Sequence, residues 1–185
     1  MKNIIMSVQI FCYGSNLLPA HIENRVGPVK RVGIGYLSEH KLMFDKVSRD
    51  GSAKADAFFT GKEKDKVWGV VYEISEDGKT RLDEYEGLGK SYDEKKVKIH
   101  REQGKPIDAG VYVAQPGHVA MAAQLFPYDW YKQQILMGAI QHGLPAPYVR
   151  MLANYPSRND RDSIRAKRNW DEICTYLTDR LKPAE

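Results

Sequence analysis

With 185 residues, 42% hydrophobic and 28% charged, the chain is long enough to bury one core and too short for several. A net charge of +4 is mild: it suits acidic small molecules as ligands and carries no electrostatic footprint for nucleic acid. No stretch has the apolar length of a membrane span, residues 1–7 lack a secretory leader's apolar run and small-residue cleavage site, and Cys12 and Cys174 lie far apart without metal-type spacing. Free thiols in a reducing compartment, by default the cytoplasm, are therefore expected.

In chain order, an apolar run of Val8, Ile10 and Phe11 predicts a buried strand that turns sharply at Gly14, where Ser15 or Asn16 can cap a helix starting at Leu17 and Leu18. A strand, a glycine turn and a capped helix leave backbone N–H groups pointing one way, a nest that attracts carboxylates and oxyanions. A short helix is expected over 19–25, then strands over 29–37 and 41–47 (Leu42, Phe44 and Val47 forming the apolar set), with a turn near Ser38, Glu39 and His40. A short strand follows over 55–60, and residues 67–74 make the clearest strand after the first. Asp77-Gly78 should break it, with a helix over 80–86. Residues 95–101 and 107–114 alternate as a hairpin. The second half is helical: 128–141, stopped by His142-Gly143 and Pro145, then 146–153 and an amphipathic 163–181. Leading strands and trailing helices make an α+β plan. Closing the strands into a small mixed β-barrel, flanked by helices and followed by a helical C-terminal segment, would remove their exposed edges. The expected organisation is a single domain over 1–185, with 157–185 as a peripheral helical tail.

Glu86 is the sharpest chemical candidate. In a helix over 80–86, Leu82, Tyr85 and Glu86 share one face, while Asp83 and Glu84 point elsewhere. Gly87 ends the helix, so Glu86 sits at its negative end, where partial burial also disfavours charge; such a group suits general acid and base work. Other candidates carry less. Cys12 has no histidine beside it, the five histidines show no paired metal spacing, and Arg158, Arg161, Arg165, Lys167 and Arg168 read as a solvated basic face.

Three blocks then point the same way. Tyr13-Gly14-Ser15-Asn16-Leu17 follows the first strand. Val67-Trp68-Gly69-Val70-Val71-Tyr72 precedes Leu82-Asp83-Glu84-Tyr85-Glu86-Gly87. Tyr131-Lys132, Met137-Gly138-Ala139 and Gly143-Leu144-Pro145 close the series. Together they cover most of residues 8–155, and the chain resembles the gamma-glutamyl cyclotransferase family. The resemblance implies an enzyme of the lyase or transferase type that releases 5-oxoproline from gamma-glutamyl amino acids or small gamma-glutamyl amides by intramolecular acyl transfer. It implies that Glu86, directly before the glycine, is the catalytic acid and base. It further implies that Tyr13, Gly14, Ser15, Asn16, Leu17, Tyr92 and Tyr131 hold substrate, with no cofactor and no metal. The expected partner is a small gamma-glutamyl compound, with no nucleic acid and no membrane; a homodimer is compatible with all of this. Two alternatives stand beside it: the same chemistry on a specialised gamma-glutamyl amine in biosynthetic deblocking, and a small-molecule-binding protein without turnover.

Overall fold

The structure, a computed structural model, describes residues 7–120 and 125–181, so residues 1–6, where a leader would begin, lie outside it. The strands are β1 (Ser7–Cys12), β2 (Lys30–Ser38), β3 (His40–Val47), β4 (Ala53–Phe59), β5 (Lys66–Ser75), β6 (Tyr92–Ile99) and β7 (Ile107–Ala114). The helices are α1 (Pro19–Val26), α2 (Glu76–Glu86), α3 (Asp129–His142), α4 (Ala146–Asn154) and α5 (Ser163–Leu181). Five strands form one sheet in the order β2-β5-β1-β7-β6, antiparallel except where β1 runs parallel to β7. β1 lies at the centre, which explains its apolar run: Ile10 and Phe11 are buried in full or nearly so.

The expected β-barrel does not close. β3 and β4 leave the large sheet and pair with each other as a separate hairpin, turned out of line at Glu39, whose φ of 60° places a non-glycine residue in the left-handed region. The edge strands of the large sheet are bridged where Tyr36 and His100 exchange backbone hydrogen bonds of 2.8 and 2.9 Å. Gly35 permits that approach, because a Cβ there would stand 2.4 Å from the His100 carbonyl oxygen.

α2 begins earlier than the sequence suggests. Ser75 caps it, its hydroxyl accepting the Gly78 N–H at 3.1 Å, so Gly78 sits inside the helix instead of breaking the chain. A Cβ at Gly78 would meet the Val26 carbonyl at 3.0 Å, so this glycine lets the end of α1 lie against the start of α2. Gly87 ends α2 as expected, with φ 65° and its N–H turned back to the Asp83 carbonyl. Tyr112 donates to Asp83 at 2.6 Å, and Lys79 bridges Asp83 and Glu94, fixing α2 to β7 and β6. The last helix docks on the body through Ile173, which is buried, and through His21 and Glu172, 3.0 Å apart.

The β3–β4 hairpin holds a titratable oddity. Asp45 has a buried Oδ1 with no hydrogen-bond partner among the described residues, and burial, reinforced by the Asp56 carboxylate, pushes its pKa up from 3.8 to about 6. The folded state therefore keeps this proton over a range where the unfolded chain has released it. The stabilising contribution is complete below roughly pH 4 and is lost as pH rises through about 6. Denaturant midpoints measured across pH should show Asp45→Asn gaining on the wild type between those limits; parallel profiles would contradict it.

Candidate active site

The chain leaves β1 at Cys12, passes Gly14 (φ −99°, ψ −146°) and winds through a single 3-10 turn over Ser15–Leu17. Neither Ser15 nor Asn16 caps α1, contrary to the expectation from sequence. Pro19 starts that helix with its preset φ, and Leu18 occupies the cap position without a side-chain bond. The side chain of Asn16 is thereby left for another purpose. Its Nδ2 donates to Glu86 Oε1 at 2.9 Å, across 70 residues of sequence. Arg25, on α1, completes the group: Nη1 donates to Asn16 Oδ1 at 2.7 Å and lies 3.5 Å from Glu86 Oε1. The Glu86 side chain is 17% exposed, so these contacts are sheltered from bulk water. Tyr85 lines the same cavity as Glu86, and Arg25 meets both, but it does not share the burial of Leu82. The residue is 64% exposed and its ring lies under the Arg25 guanidinium, 4.9 Å away, while Leu82 is buried in the core.

The Gly14–Asn16 turn and the end of α2 open on one cavity of about 340 Å³, which Lys46, Lys54 and Ala55 of the β3–β4 hairpin also line. Tyr13, Gly14, Ser15, Asn16, Glu86, Tyr92 and Tyr131 all line it. Leu17 does not: it is fully buried, and its carbonyl receives His142 Nε2 at 2.9 Å and the Tyr72 hydroxyl at 3.3 Å. Its role is to seat the turn against α3, where Gly138 leaves the space; a Cβ there would stand 2.5 Å from the Leu17 carbonyl carbon.

The three tyrosines owe their positions to β4 and its neighbours. Ala53, Ala55 and Ala57 are buried and too small to fill the space beside the strand. Tyr131 accepts the Ala55 N–H at 3.1 Å, Tyr92 donates to the Ala55 carbonyl at 3.2 Å, and Tyr13 donates to the Tyr112 carbonyl at 2.6 Å. Tyr13 is thus both a wall of the cavity and a core aromatic with a satisfied hydroxyl. Burial pushes all three phenols well above their ordinary range, so they stay protonated. Burial, and then the nearby Glu86, drives the Cys12 thiol far up as well, which disfavours a thiolate there. Among the described residues no cluster of three or more His, Cys, Asp or Glu could hold a metal ion.

Comparison with known proteins bears on this site. The human gamma-glutamylcyclotransferase is 32% identical over 147 residues, spanning 77% of this chain and 75% of that protein. The mouse gamma-glutamylcyclotransferase is 31% identical over 146 residues with the same coverage. The chain belongs to the gamma-glutamylcyclotransferase family. A family model described as AIG2-like matches residues 66–152. A solved structure titled gamma-glutamyl cyclotransferase superposes with a TM-score of 0.80 at 27% identity, over 92% of this chain and 99% of that one. The α+β architecture is thus that of a gamma-glutamylcyclotransferase. No helix among the described residues is long and apolar enough to cross a membrane.

Sequence reasoning missed the cations of this family member's cavity: Arg25, Lys46, Arg49 and Lys54 all line it. For Lys46 a signal existed. On β3 the buried positions are His40, Leu42, Phe44 and Lys46, a period of two that turns the lysine inward. Val47, expected in the apolar set, is instead 42% exposed, because it falls on the other phase of that alternation. Arg25 gave no such sign, since only the fold brings it to residue 86.

Proposed function

We propose that this protein is a gamma-glutamyl cyclotransferase that releases 5-oxoproline from gamma-glutamyl amino acids or small gamma-glutamyl amides, with Glu86 as general base and acid. The observation that carries the reading is the 2.9 Å bond from Asn16 to Glu86: the amide turn and the sheltered acid at the end of α2 share a single cavity. The substrate supplies both reactants. Its α-amino nitrogen attacks its own γ-carbonyl carbon, a new C–N bond closes a five-membered ring, and the original amide C–N bond breaks to expel an amine, with no water consumed. Because attack is intramolecular, much of the entropic barrier is removed once the bound chain is folded back on itself.

Three tasks remain for the protein. Glu86 Oε1 is engaged by Asn16 and Arg25, which leaves Oε2 to accept the proton of the α-ammonium and return it to the leaving nitrogen. Asn16 and Arg25, by holding Oε1, orient the carboxyl group. The backbone N–H groups at the start of the Ser15–Leu17 turn, where no preceding helical carbonyl serves them, meet the oxyanion; such a donor is typically worth about 3 kcal/mol. Tyr13, Tyr92 and Tyr131 wall the bound glutamyl group. The two free thiols, Cys12 and Cys174, support a cytoplasmic setting.

Purified protein supplied with gamma-glutamyl-alanine is expected to form equal amounts of 5-oxoproline and alanine, followed by chromatography. No 5-oxoproline from a panel of gamma-glutamyl donors would remove this reading in favour of a binding protein.

A further inference from the structure

Between β3 and β4 the chain turns at residues 48–52, and Ser48, Arg49 and Lys54 line the cavity from this end of the hairpin. Asp50 shapes the turn from within: its carboxylate accepts the Ser52 N–H at 2.9 Å, the Ser52 hydroxyl at 2.7 Å and the Lys54 ammonium at 2.8 Å. These bonds do not fix where the turn stands, because two strands paired only with each other are marginal by themselves. Its backbone is fixed from outside. The Asp50 carbonyl accepts the Tyr128 hydroxyl at 2.8 Å, the Gly51 carbonyl accepts Arg158 Nη2 at 2.5 Å, and the Ala53 N–H donates to the Phe126 carbonyl at 3.1 Å. Tyr128 and Arg158 are themselves bridged, with the Arg158 N–H on the Pro127 carbonyl and the Asp129 N–H on the Arg158 carbonyl, each at 3.0 Å.

Tyr128 is buried, and the guanidinium carbons of Arg165 and Arg158 lie 5.2 and 5.4 Å from the centre of its ring. Arg165 Nη2 also donates to the Tyr128 hydroxyl at 3.3 Å, so the hydroxyl receives one bond while giving its own to Asp50, an arrangement that strengthens both. Arg165 is held in turn by Asp160, whose carboxylate accepts Nε at 2.7 Å, Nη2 at 2.5 Å and the Trp130 indole N–H at 3.0 Å. The Asp160 side chain is wholly shielded from solvent, which protects the pair from screening by salt. Arg158 and Arg165, read from the sequence as part of a solvated basic face, are thus engaged by the protein itself. The series Asp160, Arg165, Tyr128 ends on the turn whose side chains line the cavity.

We propose that Tyr128 is a positioning residue of the active site: supported by Arg158, Arg165 and Asp160, it fixes where Arg49 and Lys54 stand along the cavity. The proposal rests on the cyclotransferase reading for what the cavity holds, and not for the clamp on the hairpin. Glu86, Asn16 and Arg25 bond to one another, and among the described residues none of them bonds to this network. Slackening the clamp therefore weakens the hold on a bound substrate and leaves proton transfer intact, so the effect falls on KM and spares kcat.

Tyr128→Phe removes the hydroxyl and nothing else. KM for gamma-glutamyl-alanine should rise about tenfold, the scale of one hydrogen bond, with kcat kept within about twofold. Amide hydrogen exchange, followed by mass spectrometry, should speed up in peptides covering residues 48–55 and keep its wild-type rate over α2. Arg158, whose side chain is exposed, supplies a second pair. Arg158→Met should raise KM about threefold, and Arg158→Lys, which keeps a donor for the Gly51 carbonyl, should restore it. A lowered thermal melt with KM unchanged would reduce the network to a structural role and overturn the proposal. A fall in kcat with KM unchanged would also overturn it, by placing the effect on the reacting group. If the wild type releases no 5-oxoproline, the cyclotransferase reading falls by itself, and exchange, which needs no substrate, decides the clamp: faster rates over 48–55 in Tyr128→Phe sustain it, and unchanged rates end it. Should Tyr128→Phe fail to fold, the Arg158 pair decides: KM raised by methionine and restored by lysine supports the proposal, and any other pattern refutes it.

Discussion

Glu86→Gln is expected to fold as the wild type does and to lose about two to four decades in kcat. Glutamine has the same length, and its carbonyl oxygen can still accept the Asn16 amide at 2.9 Å and lie near Arg25, so the local packing needs no rearrangement. What it cannot do is take a proton from an ammonium and return it. The loss should therefore fall on kcat, with KM for gamma-glutamyl-alanine changed little, because the turn and the tyrosines that line the cavity are untouched. A thermal melt establishes that the variant is folded, and single-turnover formation of 5-oxoproline measures the chemical step. A glutamine variant as active as the wild type would take the proton-carrying role away from Glu86.

The second large effect is expected far from the chemistry. Gly138→Ala, in the middle of α3, should gain about 1 kcal/mol in helix propensity and lose more than that to overpacking, which typically costs about 1–3 kcal/mol. The loss dominates because of what the new methyl group would meet: the Leu17 carbonyl carbon at 2.5 Å and the Leu18 nitrogen at 2.7 Å, both backbone atoms that no rotamer change can move aside. The turn must shift, and Asn16 shifts with it. A displacement near 1 Å in a positioning group can cost about a hundredfold in rate. Gly138→Ala should accordingly show a lowered denaturant midpoint together with a fall in kcat/KM larger than the small unfolded fraction could cause. Unchanged values of both would mean that α3 yields and the turn does not.

Much of the site was legible in the chain. Residues 13–16 follow an apolar strand with a glycine and two small polar side chains, and Glu86 precedes the left-handed Gly87 that ends α2. Both signals are local, set by backbone geometry over a few residues, so a linear reading recovers them. The corrections share the opposite character. The sheet stays open because β3 and β4 pair with each other, and nothing within either strand states its partner. Leu17 is buried under α3 instead of facing the cavity because the 3-10 turn rotates it there, against the distant Gly138. Tyr85 is far more exposed than Leu82 of the same helix, and its ring meets Arg25 from another element.

Sequence alone determined which segments become strands and helices, the position of the amide turn, and which acid stands at the end of α2, since each depends on neighbours a few residues away. Only the tertiary structure decided that Asn16 would hold Glu86, that Arg25 would join them, and that Lys46 would face the same cavity. Those facts are distances between side chains 9 to 70 residues apart, and such distances are set by how the core packs, not by any pattern along the chain.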